Sequence, residues 1–363
     1  MKKVLLILMC CMAIQSVHAQ DTPKWADKAK KAVFSIVTYD KENKIKNTGN
    51  GFYIDNNGTA LSDYSLFEDA ERAVIINADG KELPVTRIAG ANSMYDVIKF
   101  RTKTEKKITA LKVATQPAAV GETVYLLPYS TQKAATCQTG KVTQVDTIAD
   151  KAYYYTLTMT TSDKTVSCPI MNANGEVLGL IQKSASEEDK ESYAIGASYG
   201  ESLSISPLSA NDINLNKIGI AKALPETEDQ ALVYLYMSSS QMDAKNYLAT
   251  LNDFLQAYPN STEGYTRRAG YYMNIGDDEH NALAEADLKK AMDVSGNKTE
   301  GQYNVAKIIY SYCINLEEGK KAYGDLRQSI KYHSRSYRNR CTTGLYSIGR
   351  RYFICNAQLY RCV

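Results

Sequence analysis

Histidine is almost missing from this sequence: three residues in 363, at positions 18, 280 and 333, with none between the first two. Imidazole is the usual general base near neutral pH and a common metal ligand. Its absence therefore takes imidazole acid–base chemistry out of most of the chain. Cysteine is present but never as C-x-x-C, and nothing has the spacing of a zinc site. No charge excess exists either: 43 Lys and Arg stand against 40 Asp and Glu, so no net pull toward nucleic acid or an anionic membrane is expected. The one sustained apolar run, residues 4–14, is shorter than the ~20 residues a membrane-crossing helix needs. Phenylalanine and tryptophan are scarce, 6 and 1 against 27 tyrosines, which suits surfaces and helix-pair cores where a buried ring keeps its hydroxyl in contact with a partner.

What is present begins with a leader. Lys2 and Lys3, the apolar run and Val17-His18-Ala19 read as a secretory signal peptide over residues 1–19, which implies a secreted or periplasmic product. Six cysteines follow it: Cys137, Cys168, Cys313, Cys341, Cys355 and Cys362. An oxidising compartment permits a Cys137–Cys168 disulfide, and two buried free thiols are an equal alternative. The remaining length has room for two or three domains, each with its own core.

Residues 26–200 read as short strands. An amphipathic piece at 25–31 leads into 32–37, and further runs fall at 48–54, 55–62, 73–76, 83–88, 97–100, 123–127, 140–145 and 153–159. The segment 162–181, S-D-K-T-V-S-C-P-I-M-N-A-N-G-E-V-L-G-L-I, adds a strand, an Asn-Gly turn and a buried strand. Many short strands without a helical period predict an all-β barrel or sandwich.

Three stretches resemble trypsin-like serine proteases of the Deg type. The last is similar to that family's G-N-S-G-G-P-L-V-N-x-x-G-E-V-I-G-I, and Gly49-Asn50-Gly51-Phe52 to Leu61-Ser62 is similar to G-S-G-F-I-I-x-x-D-G-Y-I-L-T-N-N-H. Between them, Arg87-Ile88-Ala89-Gly90 and Tyr95-Asp96-Val97 resemble the strand that carries the catalytic aspartate. The resemblance implies an all-β trypsin-like double β-barrel. Carried over without gaps, it puts the histidine position on Ser65, the aspartate on Asp96, the nucleophile on Val166 and an oxyanion glycine on Lys164. A serine attacks a carbonyl only when a base takes its proton and a carboxylate orients that base. Here Val166 has no group to attack with, and a hydroxyl at Ser65 is too weak an acceptor. Losing either group costs on the order of 10⁶ in turnover in a well-studied serine peptidase. No conventional catalytic set is therefore expected. Ser167, one position along, is the alternative nucleophile, but neighbouring side chains in an extended segment point to opposite faces.

After a polar stretch at 201–226, expected to be a linker, the pattern turns helical. Thr227 with Gln230, and Asn260 with Glu263, have the spacing of capping boxes. A repeat of 37 to 38 residues aligns Leu232, Ala269 and Ala306; Leu235, Tyr272 and Ile309; Tyr247, Ala284 and Ala322; Leu251, Leu288 and Leu326; and Phe254, Ala291 and Ser329. The arrangement over 227–340 resembles about three tetratricopeptide repeats, an all-α solenoid, with Tyr258-Pro259-Asn260 as a closing turn and the extra length in loops such as 276–280. Such a solenoid binds peptides or partner helices in its inner groove. Tyr265, Arg268, Tyr271 and Asn304 on first helices are the candidate peptide-binding residues, alongside Arg267. His280, expected in a loop beside Asp277 and Asp278, suggests no metal site. From Gly319 on, ten Lys and Arg meet one acid, Asp325. The last residues, 341–363, fit neither a fourth repeat nor a capping helix, and a packed tail, an anionic-surface anchor and a damaged reading frame all stay open.

Together these readings predict a secreted, non-catalytic scaffold for a protein or peptide partner, without cofactor, metal or nucleic acid. A serine endopeptidase built around Ser167 is the alternative.

Overall fold

The computed structural model describes residues 22–104, 108–132, 134–149, 152–182 and 190–315. The leader at 1–19, the end of the third expected repeat and the tail at 341–363 lie outside the described residues. The chain divides into two compact units: 1–205 with Ile213–Ala223, and Ser206–Asp212 with Leu224 onward.

The first unit starts with a short helix, α1 (Ala26–Ala29), and a single 3-10 turn, then twelve strands. These are β1 (Val33–Tyr39), β2 (Ile45–Tyr53), β3 (Thr59–Ser62), β4 (Arg72–Ile76), β5 (Glu82–Asn92), β6 (Val97–Thr102), β7 (Thr123–Leu126), β8 (Gln138–Ala149), β9 (Ala152–Leu157), β10 (Pro169–Met171), β11 (Val177–Ile181) and β12 (Ser192–Gly196). They form two closed antiparallel barrels, ordered β1-β2-β3-β6-β5-β4 and β10-β11-β12-β9-β8-β7. Read from β7, the second order is 7-8-9-12-11-10, the connectivity of the first barrel repeated. Closure removes the exposed edges that strands this short would otherwise present. Of the two architectures the strands allowed, barrel or sandwich, the chain takes the barrel.

Alternation drives the closure. In β1, Val33, Phe34 and Ile36 are buried, and Phe34 meets Tyr53 and Phe100 edge-on at 4.7 and 6.2 Å between ring centres. Gly51 is needed because a β-carbon there would lie 2.7 Å from the Leu61 carbonyl oxygen and 2.8 Å from the Phe34 ring. The second barrel buries Val124, Leu126, Val142, Leu157, Ile170, Leu180 and Ile195. The segment ahead of β1 lies against this second barrel: Trp25 Nε1 donates to Ala173 O at 3.0 Å, and its ring meets Tyr125 edge-on at 5.8 Å.

After β12 come α2 (Ala197–Ser202) and α3 (Ile213–Asn216). The stretch expected as a linker, 201–226, is more structured than its polar composition suggests. Leu215, Ile218, Ile220 and Ala223 are buried, and the segment returns to the first unit through Gly219 N–H to Ala70 O and Ala223 N–H to Ile88 O, at 2.8 and 2.7 Å. Residues Ser206–Asp212 belong instead with the helical unit.

The second unit holds α4 (Glu228–Ser238), α5 (Ala244–Ala257), α6 (Thr262–Ile275), α7 (Asp278–Val294) and α8 (Lys298–Asn315). Thr227, Asp243, Ser261 and Asp277 cap four of them, each accepting a backbone N–H three residues on. The cap of α6 is thus Ser261 rather than Asn260, because the helix starts one residue later than the capping-box spacing implied. His280 lies in the first turn of α7 rather than in a loop. The intervening turn is tight: Gly276, at φ +75°, ends α6, and Asp277 at once begins the next helix. The described repeat positions fill two cores. Leu235, Leu251 and Phe254 pack in one with Leu232 and Tyr247 at its margin, and Ala269, Tyr272, Ala284, Leu288 and Ala291 form the other.

Candidate functional site

The turns that carry the expected catalytic positions come together within the first unit. Strand β3 ends at Ser62, and the chain turns through Asp63 into a 3-10 turn, Tyr64–Leu66, that leaves Ser65 exposed. The β5–β6 connection supplies Asp96, held at φ +48°, a left-handed conformation that aspartate tolerates better than most residues. Its carboxylate accepts the Ser65 backbone N–H through Oδ1 at 2.7 Å and the Ser65 hydroxyl through Oδ2 at 3.0 Å. The two positions named by the resemblance are thus in hydrogen-bond contact, with a serine hydroxyl where the resemblance gives an imidazole.

The segment 162–168, between β9 and β10, holds the other two positions. It coils into a turn: the N–H groups of Thr165 and Val166 both donate to Ser162 O, at 2.8 and 3.2 Å, and Cys168 N–H donates to Thr165 O at 3.1 Å. An oxyanion site needs backbone N–H groups free to point at a developing negative charge. The Val166 N–H is already used. From β2, the buried Asn50 amide donates to Lys164 O and Val166 O, at 3.1 and 2.9 Å, fixing these carbonyls toward barrel one. Lys164 itself is exposed.

Ser167 is brought into the same region but turned inward. It is 0% exposed, sits at φ +63°, and its hydroxyl makes no hydrogen bond of good geometry. The neighbouring acid, Asp63, is 2% exposed, and its Oδ1 is equally without a well-placed partner. Burial and the nearby Asp96 charge push the Asp63 carboxyl well above the usual carboxylate range, while the Ser167 hydroxyl acts the other way. Asp63 had a signal: counted without gaps from Gly49, it stands where the resemblance places an asparagine. Asn50 had one as well, since it stands where the resemblance places a serine.

Cys137 and Cys168 are free thiols, so the disulfide alternative gives way to the free-thiol one. Cys168 lies inside the barrel region, where burial drives its thiol up to about 12, and burial with Asp27 nearby raises Cys137 to about 11. Neither is a poised nucleophile. Among the described residues no group of three or more His, Cys, Asp and Glu side chains can hold a metal ion, and no helix is long and apolar enough to cross a membrane.

In the helical unit, three of the four candidate binding residues have internal partners. Arg268 makes a two-pronged pair with Asp287, 2.8 and 2.7 Å, and a third bond to Asn252 at 2.7 Å. The Tyr265 hydroxyl donates to Pro259 O at 3.0 Å, and the Tyr271 ring packs beside Tyr247 and Tyr272. Asn304 is half-buried on α8. Arg267 is engaged too: it reaches Glu263 at 3.0 Å and lies 5.8 Å from the centre of the exposed Tyr236 ring. His280 pairs with Asp277 at 2.8 Å, a contact within its own helix cap.

No curated protein matches the chain. Residues 49–180 match the family model of the trypsin-like peptidase domain. This span runs from within β2 to within β11, across both barrels and every one of the turns just described. With two closed six-stranded barrels of matching connectivity around those turns, the first unit is a trypsin-like peptidase domain.

Proposed function

We propose that the peptidase-like domain is catalytically inert and that the chain works by holding a protein or peptide partner, as a secreted or periplasmic scaffold. The observation that carries this reading is the use made of Asp96: both of its oxygens are occupied by Ser65. In an active site of this kind that carboxylate would orient a base, and the base would serve a nucleophile. Ser65 cannot take a proton at neutral pH, and Val166 has none to give. The coiled 162–166 turn adds a second obstacle, since its amide is spent on Ser162 O rather than held for an oxyanion.

The helical unit supports the binding half of the proposal. We read α4–α8 as tetratricopeptide repeats, because repeat-related positions fill successive cores. Partner contacts are assigned to first-helix groups, the exposed Tyr236 and the half-buried Arg267 and Asn304, with Tyr265 and Tyr271 as their supports. The endopeptidase alternative would need Ser167, whose buried hydroxyl faces an acid rather than solvent.

A fluorophosphonate serine probe tests the proposal. The mature protein is expected to show no labelling and no peptide cleavage above background. The Ser65→His, Val166→Ser double variant should stay inert as well, because the oxyanion amide is still engaged. Labelling of the wild-type protein that disappears in Ser167→Ala would overturn the reading.

A further inference from the structure

The mechanism just proposed leaves Asp63 without a role, yet it is the most unusual group in the first unit. A carboxyl removed from water is stable only if neutral or well paired. Asp63 Oδ1 and Ser167 Oγ are both buried, neighbouring and without well-placed partners. Ser167 is held in a left-handed conformation, φ +63°, that strains a residue with a side chain. The groups facing Asp63 are Asp96 from the turn before β6, and the Ser167 hydroxyl and Cys168 thiol from the segment before β10. One of them is a second carboxyl, and among the described residues no cation contributes to its ionisation.

We infer that Asp63 and the 162–168 segment form a proton-operated latch. With Asp63 protonated, one shared hydrogen satisfies both orphaned oxygens, and the segment stays packed against β2 and β11 through the Asn50 amide and the Ser167 N–H to Ile181 O bond, 2.9 Å. With Asp63 ionised, a buried charge faces the Asp96 carboxylate. The segment that carries the facing Ser167 hydroxyl is the part that yields. Its release would let water reach Asp63 and would uncover the Asn50 face of barrel one and the Cys168 thiol.

The sign follows from the direction of the shift. A carboxyl whose proton is held more tightly in the closed state favours closure fully at pH values below the ordinary carboxylate range. That advantage is lost progressively as pH rises through the closed-state value. Alkaline conditions open the latch and acid closes it.

Hydrogen exchange of the full chain tests this, read at the Val166, Ser167 and Cys168 amides and corrected for the intrinsic pH dependence of exchange. Protection in the wild-type protein is expected to fall at least about tenfold between about pH 5 and about pH 8. In Asp63→Asn, which keeps the shape without the charge, protection should stay level. Asp96→Asn removes the facing anion and should give an intermediate fall, so the idea is still testable if Asp63→Asn folds poorly. Equal pH dependence in the wild type and in whichever variant folds would overturn the latch.

Discussion

At Arg268 the guanidinium fork is used entirely within the helical unit. Two of its nitrogens meet both oxygens of Asp287, a carboxylate on a residue only 6% exposed, and a third meets Asn252. A planar fork matched to a carboxylate is something arginine provides and lysine does not. Arg268→Ala would leave Asp287 buried without its countercharge. We expect a loss of about 2–4 kcal/mol in urea unfolding, below the top of the range for fully buried pairs because Arg268 keeps some exposure. Arg268→Lys should recover less than half of it. Arg267→Ala, whose ion pair lies toward solvent, should cost under ~1 kcal/mol. If Arg268→Ala leaves the unfolding midpoint unchanged while abolishing partner capture, the residue is a ligand contact after all. Residue type and helix position suggested a binding role here; the acid that claims Arg268 is 19 positions away on the next helix, and no spacing rule pointed to it.

Among the elements, the piece before β1 does work that its four-residue helix hides. Trp25 donates to Ala173 O and lies against Tyr125 and Gly175, whose φ of +76° and closeness to the indole both exclude a side chain. Asp27 Oδ1 accepts the Ala135 N–H at 2.8 Å, and the Lys30 ammonium donates to Gln132 O. A segment that feeds the first barrel thus braces the second. Trp25→Ala is expected to lower stability by about 2–3 kcal/mol, less than a fully buried tryptophan because the ring is half-exposed. As the chain has a single tryptophan, its emission should report undocking directly, and a mutant as stable as wild type would remove the bracing role. The strands themselves were legible, because alternation and Asn-Gly turns are local. Thus β10 and β11 fall where the sequence alone places them, while β12 escapes notice: Ser-Tyr-Ala-Ile-Gly is short, and only pairing with β9 and β11 makes it a strand. The site was half legible. Ser65, Asp96 and Val166 follow from motif register, whereas the burial of Asp63 and the aim of Asn50 arise from packing across more than a hundred residues.

At the scale of the whole molecule, each unit has a core made of its own residues. The barrels bury Leu61, Phe100, Leu180 and Ile195, while the helices bury Leu251, Phe254, Ala269 and Leu288. A core deletion should then register only in the unit that owns it, since the transfer and cavity terms are local. Leu288→Ala is expected to cost about 2–5 kcal/mol in the helical unit and to shift one calorimetric transition, leaving the barrel transition in place. Leu61→Ala should do the reverse. The pairing also sorts the proposals: partner capture lost in Leu288→Ala but kept in Leu61→Ala, at temperatures where the untouched unit is folded, assigns binding to the helices. The opposite pattern would move it to the barrels. A single merged transition displaced equally by both substitutions would show that the two cores are one cooperative unit and defeat the division on which this assignment rests.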